Sequence, residues 1–236
     1  MRVHILTILL CVACGQAEQQ PVRGDIGDRG PQVALDSNPK ANTAAPEIPR
    51  DAPIVVFLGD SITAGLHLPA QQAFPAVVQA ECARRGHPFQ LVNAGVSGDT
   101  SAGGLARTDW VLQREPEIVV IELGGNDGLR GQDLGTIEVN LRAIIEKVRA
   151  AGARVLLLGM RLPPSYGAEY TAGFEALYER IAADTKVAYV PYFMNRVGGV
   201  PEMLLEDGLH PTAVGHATLA ENMVEQLIAL LPPRPR

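Results

Sequence analysis

A serine hydroxyl becomes a useful nucleophile at neutral pH only beside a base. A histidine acting as that base needs a partner to hold its tautomer. Three residues of this 236-residue chain combine those types in suitable settings. Ser61 lies in Gly59-Asp60-Ser61-Ile62-Thr63-Ala64-Gly65, directly after an apolar run, where its hydroxyl can face a cleft. Asp207 and His210 lie in Asp207-Gly208-Leu209-His210-Pro211, three apart on a loop and close enough to bond each other. Together they suit acyl transfer through a serine. Ser61 has an equally good reading as the cap of a following helix, a common role for serine. Any helix starting there would also point the Ser61 N–H outward at its positive end. The remaining histidines carry less. His4 stands in the apolar N-terminal segment, His87 in a Gly-His-Pro turn, His216 within a helical pattern, and His67 without a carboxylate nearby. These read as surface or packing residues.

Two glycine-bearing segments supply candidate partners for a developing oxyanion. They are Asn93-Ala94-Gly95-Val96-Ser97-Gly98-Asp99-Thr100 and Gly124-Gly125-Asn126-Asp127-Gly128. Glycine lets the backbone approach a ligand closely. Gly98 offers a bare N–H and Asn126 an amide, although each segment alone reads equally as a turn. Spacing does not choose among the members of these segments.

The elements that must position these residues follow from hydrophobic patterning. Ile54–Leu58 is a short, continuous apolar run of the kind that forms a strand buried on both faces. Similar runs occupy Phe89–Val92, Ile118–Leu123, Val155–Leu158 and Val187–Val190. Helical patterns lie between and after them. Ile137, Leu141, Ile144, Ile145 and Val148 share one face, as do Ala217, Ala220, Val224, Leu227, Ile228 and Leu231. Alternating strands and helices predict a parallel sheet covered on both sides, with ligands at the C-terminal ends of the strands. The serine, glycine and asparagine segments each follow one of the predicted strands.

Those four segments, in that order, resemble the GDSL, or SGNH, hydrolase family. They are Gly-Asp-Ser at Ser61, Val-Ser-Gly-Asp-Thr-Ser at Gly98, Gly-Gly-Asn-Asp-Gly at Asn126, and Asp-Gly-Leu-His-Pro at His210. Isoleucine follows Ser61 where the family name has leucine. Arg161-Leu162-Pro163-Pro164-Ser165-Tyr166-Gly167 and Pro191-Tyr192-Phe193-Met194 are similar to the bacterial multifunctional acyl-thioesterase/lysophospholipase and arylesterase branch. The resemblance covers about residues 54–231. It implies a three-layer α/β/α sandwich with a five-stranded parallel sheet of flavodoxin-like type. It implies Ser61 as nucleophile, His210 as base and Asp207 as orienter, with the Ser61 and Gly98 N–H groups and the Asn126 amide as oxyanion donors. Asp60, Leu162, Pro163 and Tyr166 are the expected substrate contacts, and the Arg161–Gly167 loop a mobile specificity element. The expected activity is hydrolysis of carboxylic esters through an acyl-enzyme, with acyl thioesters and lysophospholipids as related substrates. No metal or organic cofactor is called for. No Gly-x-Ser-x-Gly elbow occurs at any serine, which disfavours the α/β-hydrolase fold.

Rival readings come from other classes. A metal site built from Asp207, His210 and His216 has a spacing that fits no familiar ligand pattern. A carbohydrate O-acetyl esterase needs stacking aromatics, yet only 5% of residues are aromatic and most fall within 166–193. A lipid-anchored binding protein without turnover does not explain why Ser61, Asp207 and His210 are all present. A net charge of -6 argues against nucleic acid as a partner.

Tyr166, Tyr170, Phe174 and Tyr178 recur every four residues and predict one helical stripe against the sheet, with Tyr166 beside the acyl pocket. Cys82 sits in an apolar helical stretch and reads as a buried, inert thiol.

The ends read differently. Met1-Arg2 followed by the apolar Ile5–Ala13 and then Cys14-Gly15 has the form of an export signal. It resembles a bacterial lipoprotein signal, with Cys11 where a leucine is usual, so residues 1–14 are expected to direct export and Cys14 to carry lipid. Cleavage nearby, after Ala17, is the plain alternative. Residues 15–53, rich in proline, glycine and polar side chains, predict a disordered linker. Residues 232–236 form a proline-rich tail. The expectation is an exported, monomeric enzyme of the periplasm or cell envelope, membrane-anchored through Cys14, acting on small acyl esters or lipids.

Overall fold

The computed structural model describes residues 48–232. The expected export signal, Cys14, most of the predicted linker and residues 233–236 of the expected tail lie outside the described residues.

Five strands form the sheet: β1 (Ile54–Gly59), β2 (Gln90–Gly95), β3 (Ile118–Glu122), β4 (Arg154–Leu158) and β5 (Ala188–Val190). All pairings are parallel and the order is β2-β1-β3-β4-β5. That is the flavodoxin-like doubly wound order, in which ligands gather where the winding reverses, beside β1 and β3. Every described side chain from Val55 to Leu58 and from Ile118 to Glu122 is buried, as a strand covered on both faces requires.

Among the described residues there are seven α-helices: α1 (Ser61–Ala64), α2 (Phe74–Arg84), α3 (Ser101–Leu112), α4 (Gly125–Leu129), α5 (Leu134–Ala150), α6 (Ala168–Thr185) and α7 (Ala213–Leu230). α2 packs with α7, α3 with α5 and α5 with α6, giving helices on both sides of the sheet. α5 buries Ile137, Leu141, Ile144, Ile145 and Val148, the face its periodicity predicts. Under α2, Phe74 meets Phe57 edge-on at 5.6 Å and Phe193 at 4.8 Å, in the T-shaped arrangement that ring quadrupoles favour.

Three local expectations differ from the structure. The aromatic stripe has three members on a helix, not four, because α6 begins at Ala168. Tyr166 lies in a 3-10 turn ahead of it, separated by Gly167 with φ 87°. Pro211 does not open α7; it bridges to Leu204, and Thr212 caps the helix by accepting the Gly215 N–H. The last residues of the expected linker join the domain, since Gln90 Nε2 donates to the carbonyls of Arg50 and Ala52.

Candidate active site

β1 ends at Gly59 and the chain turns at once into α1. Asp60, not Ser61, caps that helix: its Oδ1 accepts the Ile62 N–H at 2.9 Å. Ser61 is therefore the first helical residue, and its hydroxyl is free of the capping role that sequence left open. Its N–H is one of those a helix start leaves without an intrahelical acceptor. α1 has only four residues, so its dipole is small and hydrogen-bond geometry matters more.

The other end of the site is held by a closed loop. Leu204 pairs with Pro211, the Leu205 N–H donates to the His210 carbonyl at 2.7 Å, and Thr212 N–H donates to Met203 O. These bonds bring His210 across 149 residues of sequence to Ser61, with Nε2 2.8 Å from Oγ. His210 Nδ1 lies 2.6 Å from Asp207 Oδ2. With the hydrogen on Nδ1, the Ser61 hydroxyl donates to Nε2. Asp207 differs from a buried triad carboxylate in that its side chain is 40% exposed. It is oriented by the backbone instead, since Oδ1 accepts the N–H groups of His210 and Leu209 at 2.9 and 2.8 Å. Those two bonds, and then the imidazole, hold its carboxyl down at about 2.

Gly98 lies in the turn after β2 with φ +80°, where a Cβ would be strained. Among the described residues its N–H has no acceptor, while its carbonyl accepts Arg130 Nη2 at 3.1 Å. Asn126, in α4, donates one amide hydrogen of Nδ2 to Asp60 Oδ2 at 3.0 Å. An amide carries two donors, so one remains for a ligand.

Ser61, Asn126 and His210 open into a cavity of about 540 Å³. Its walls are mainly apolar: Ile62, Leu129, Met160, Leu162, Pro163 and Met194. Leu162 and Pro163, expected from sequence as substrate contacts, are thus part of the cavity wall. Asp60 also borders the cavity, but it is only 3% exposed and both oxygens are engaged by Ile62 and Asn126. Tyr166 does not line this cavity. It borders a second, more open depression with Tyr170, and its hydroxyl donates to the Leu129 carbonyl at 3.1 Å. Arg161 lies over the Tyr192 ring at 4.5 Å and pairs with Glu175, so its charge is already matched.

Several supporting residues went unread in the sequence. Arg107 donates to Asp99 Oδ2, Ala94 O and Gly59 O, tying the Gly98 turn to the ends of β2 and β1. Asp127 accepts the N–H and the hydroxyl of Ser101, joining α4 to the start of α3. Tyr178, read in sequence only as a member of the aromatic stripe, donates to Leu123 O beneath Gly124. The signal for Asp127 and Glu122 was available, since a carboxylate beside or within a buried run needs a local reason. Arg107 carried no such mark, because an arginine on a helix is ordinarily a surface residue.

His216 is buried in the core, close enough to His210 for the two to interact electrostatically. Its Nδ1 accepts the Phe74 N–H at 3.0 Å, and burial lowers its pKa to about 4. Among the described residues, Asp207, His210 and His216 do not form a group that could hold a metal ion. Cys82 is buried and its thiol is pushed up to about 12 by desolvation.

A parallel sheet with a serine, a histidine and an aspartate in hydrogen-bonded series at its C-terminal edge defines a class of α/β serine hydrolase. The chain belongs to the GDSL-like lipase/acylhydrolase family, which it matches over residues 57–218. It is 47% identical over 181 residues to an esterase, TesA, of Pseudomonas aeruginosa, an alignment covering 76% of this chain and 90% of that protein. It is 40% identical over 181 residues to the thioesterase 1/protease 1/lysophospholipase L1 of Escherichia coli, covering 76% and 86%. An arylesterase of Vibrio mimicus is 35% identical over 175 residues, covering 74% and 88%. The crystal structure of TesA superposes with a TM-score of 0.73 at 47% identity, covering 75% of this chain and 99% of that one. The protein is an ester hydrolase.

Proposed function

We propose that Ser61 is the nucleophile, His210 the general base and acid, and Asp207 the group that orients His210. The observation that carries this reading is the unbroken series from Ser61 Oγ through His210 to Asp207, at 2.8 and 2.6 Å, on the wall of an apolar cavity. Ser61 Oγ attacks the acyl carbonyl as His210 Nε2 takes its proton. The Ser61 and Gly98 N–H groups and the free Asn126 amide hydrogen receive the charge that forms on the carbonyl oxygen. His210 returns the proton to the leaving alcohol or thiol. Water then enters and gives a proton to His210 as it attacks the acyl carbonyl, and His210 passes that proton to Ser61 Oγ as the acid leaves.

The substrates are small acyl or aryl esters, with the acyl chain in the cavity. Acyl thioesters and lysophospholipids share the same carbonyl chemistry. The mostly apolar walls favour these over acetylated sugars, whose hydroxyls would lose hydrogen bonds there. The enzyme is exported and anchored through Cys14. The first 14 residues carry that reading, and mass spectrometry of the mature N-terminus tests it: an unmodified start anywhere but Cys14 refutes it.

Ser61→Ala should lower kcat by on the order of a millionfold, as loss of the nucleophile does in serine hydrolases. Near wild-type hydrolysis of p-nitrophenyl acetate by this variant overturns the assignment. A chain-length series on matched oxygen esters and thioesters then reads the acyl preference. Activity should rise with chain length until the cavity is filled.

A further inference from the structure

Two carboxyl side chains are buried behind Ser61 and take no part in the series that ends at Asp207. Asp60 precedes Ser61, and Glu122 closes β3; they are 3% and 1% exposed. No lysine or arginine among the described residues pairs with either.

Their hydrogen bonds are unequal. Asp60 accepts two N–H groups, from Ile62 at 2.9 Å and from Asn126 Nδ2 at 3.0 Å. Glu122 Oε2 accepts the Thr63 hydroxyl at 2.8 Å and, at 3.4 Å, the Asp60 N–H. Glu122 Oε1 is fully buried and accepts nothing. An ionised carboxylate can only accept hydrogen bonds, whereas a carboxylic acid donates one. Two ionised carboxylates in contact without water repel strongly; a single proton between them turns repulsion into a bond. Burial raises the Asp60 carboxyl too, but its two N–H donors work against that, which gives Asp60 the better claim to the negative charge. Glu122 is enclosed on every side. The other ionisable groups that interact with the pair are Tyr178 and His210. Burial, and then the Asp60 charge, push the Glu122 carboxyl well above its ordinary range.

We propose that Glu122 is a positioning residue for ester hydrolysis: as a carboxylic acid it donates a hydrogen bond to Asp60, and the carboxylate so held aims the Asn126 amide at the oxyanion. The proposal rests on Asn126 being an oxyanion donor. The neutral acid also spares the site a second negative charge beside a reaction that creates one. Thr63, two residues after Ser61, fixes the other Glu122 oxygen, so the same acid braces α1 and α4 together.

Amide substitutions report which carboxyl holds the proton. Glu122→Gln keeps a donor toward Asp60 and should retain kcat within about threefold, because the bond is reproduced. Glu122→Leu and Asp60→Asn should lower kcat roughly tenfold to a hundredfold through a misplaced donor. KM should stay within about twofold, since the amide acts mainly in the transition state. A tolerated Asp60→Asn with a damaged, folded Glu122→Gln puts the proton on Asp60 and overturns the proposal. Equal tolerance of all three variants overturns it too. Carbon NMR of wild-type enzyme labelled at the glutamate carboxyls needs no variant to fold. At pH 7 one glutamate carbon should sit at the position of a protonated acid, and Glu122→Gln should remove it. Only ionised signals at that pH refute the proposal. Wild-type turnover by Asn126→Ala also ends the positioning role, but there the oxyanion assignment has failed, and the Glu122 signal persists to mark the difference.

Discussion

Ser61 and His210 are separated by 149 positions and joined by a single 2.8 Å hydrogen bond. At this scale the chemistry is set by what each polar atom already has as a partner. Asn126 gives one amide hydrogen to Asp60 and keeps one. Asn126→Ala should therefore lower kcat by roughly a hundred- to a thousandfold, the cost of one oxyanion donor, with little change in KM. Steady-state kinetics on p-nitrophenyl acetate measure both constants, and an unchanged kcat would remove Asn126 from the site. Ser61, Asp207 and His210 could be picked out from the residues themselves, because each follows an apolar run or stands in a loop with its partner; Gly98 and Asn126 were only members of two glycine-bearing segments until the family resemblance singled them out. Glu122 was not read, although it interrupts the apolar run Ile118–Leu123. Its partner Asp60 lies 62 positions away, and only the β1–β3 register shows that the two meet.

At the level of elements, the site depends on how closely three strand ends approach one short helix. A Cβ at Gly95 would lie 2.2 Å from the Ala64 nitrogen and 2.7 Å from its Cα. Both are backbone atoms that cannot swing away. Gly95→Ala should cost roughly 1–3 kcal/mol of stability by overpacking. It should also lower kcat at least about tenfold by shifting α1 and Ser61; denaturant melts and kinetics on one preparation test the pair. His216 governs a different junction, between α7 and the start of α2. It is neutral in the fold, where its pKa is about 4 against an ordinary 6.5. Between those values the unfolded chain binds the extra proton, so stability falls as pH drops from 6.5 to 4. The full effect is roughly 3 kcal/mol. His216→Gln should flatten the pH dependence of the urea midpoint in that window. Equal slopes in wild type and variant would assign the loss to other groups. The helical pattern of α7 was visible in sequence, but not that His216 faces Phe74, since helical position alone does not say which neighbour lies opposite.

For the whole molecule, every residue placed at the site lies within the described residues 48–232. No helix among them is long and apolar enough to cross a membrane. Removing residues 1–47 should leave kcat/KM on a soluble short ester within about threefold, because no buried site residue is lost. A larger loss would show that the N-terminal segment contributes to the site. The sequence by itself determined the five strands, the parallel class of the sheet and the residues that follow each strand. It could do so because those depend on local periodicity and on chemistry with a known residue requirement. The tertiary structure decided the rest: that Asp60 rather than Ser61 caps α1, that Tyr166 stands outside the cavity, that Arg107 ties the Gly98 turn to the strand ends, and that Glu122 backs Asp60. The cap is a local choice between two adjacent residues; the others are contacts between segments distant in the chain, where burial and the pairing of polar groups choose the neighbour and local pattern carries no information about it.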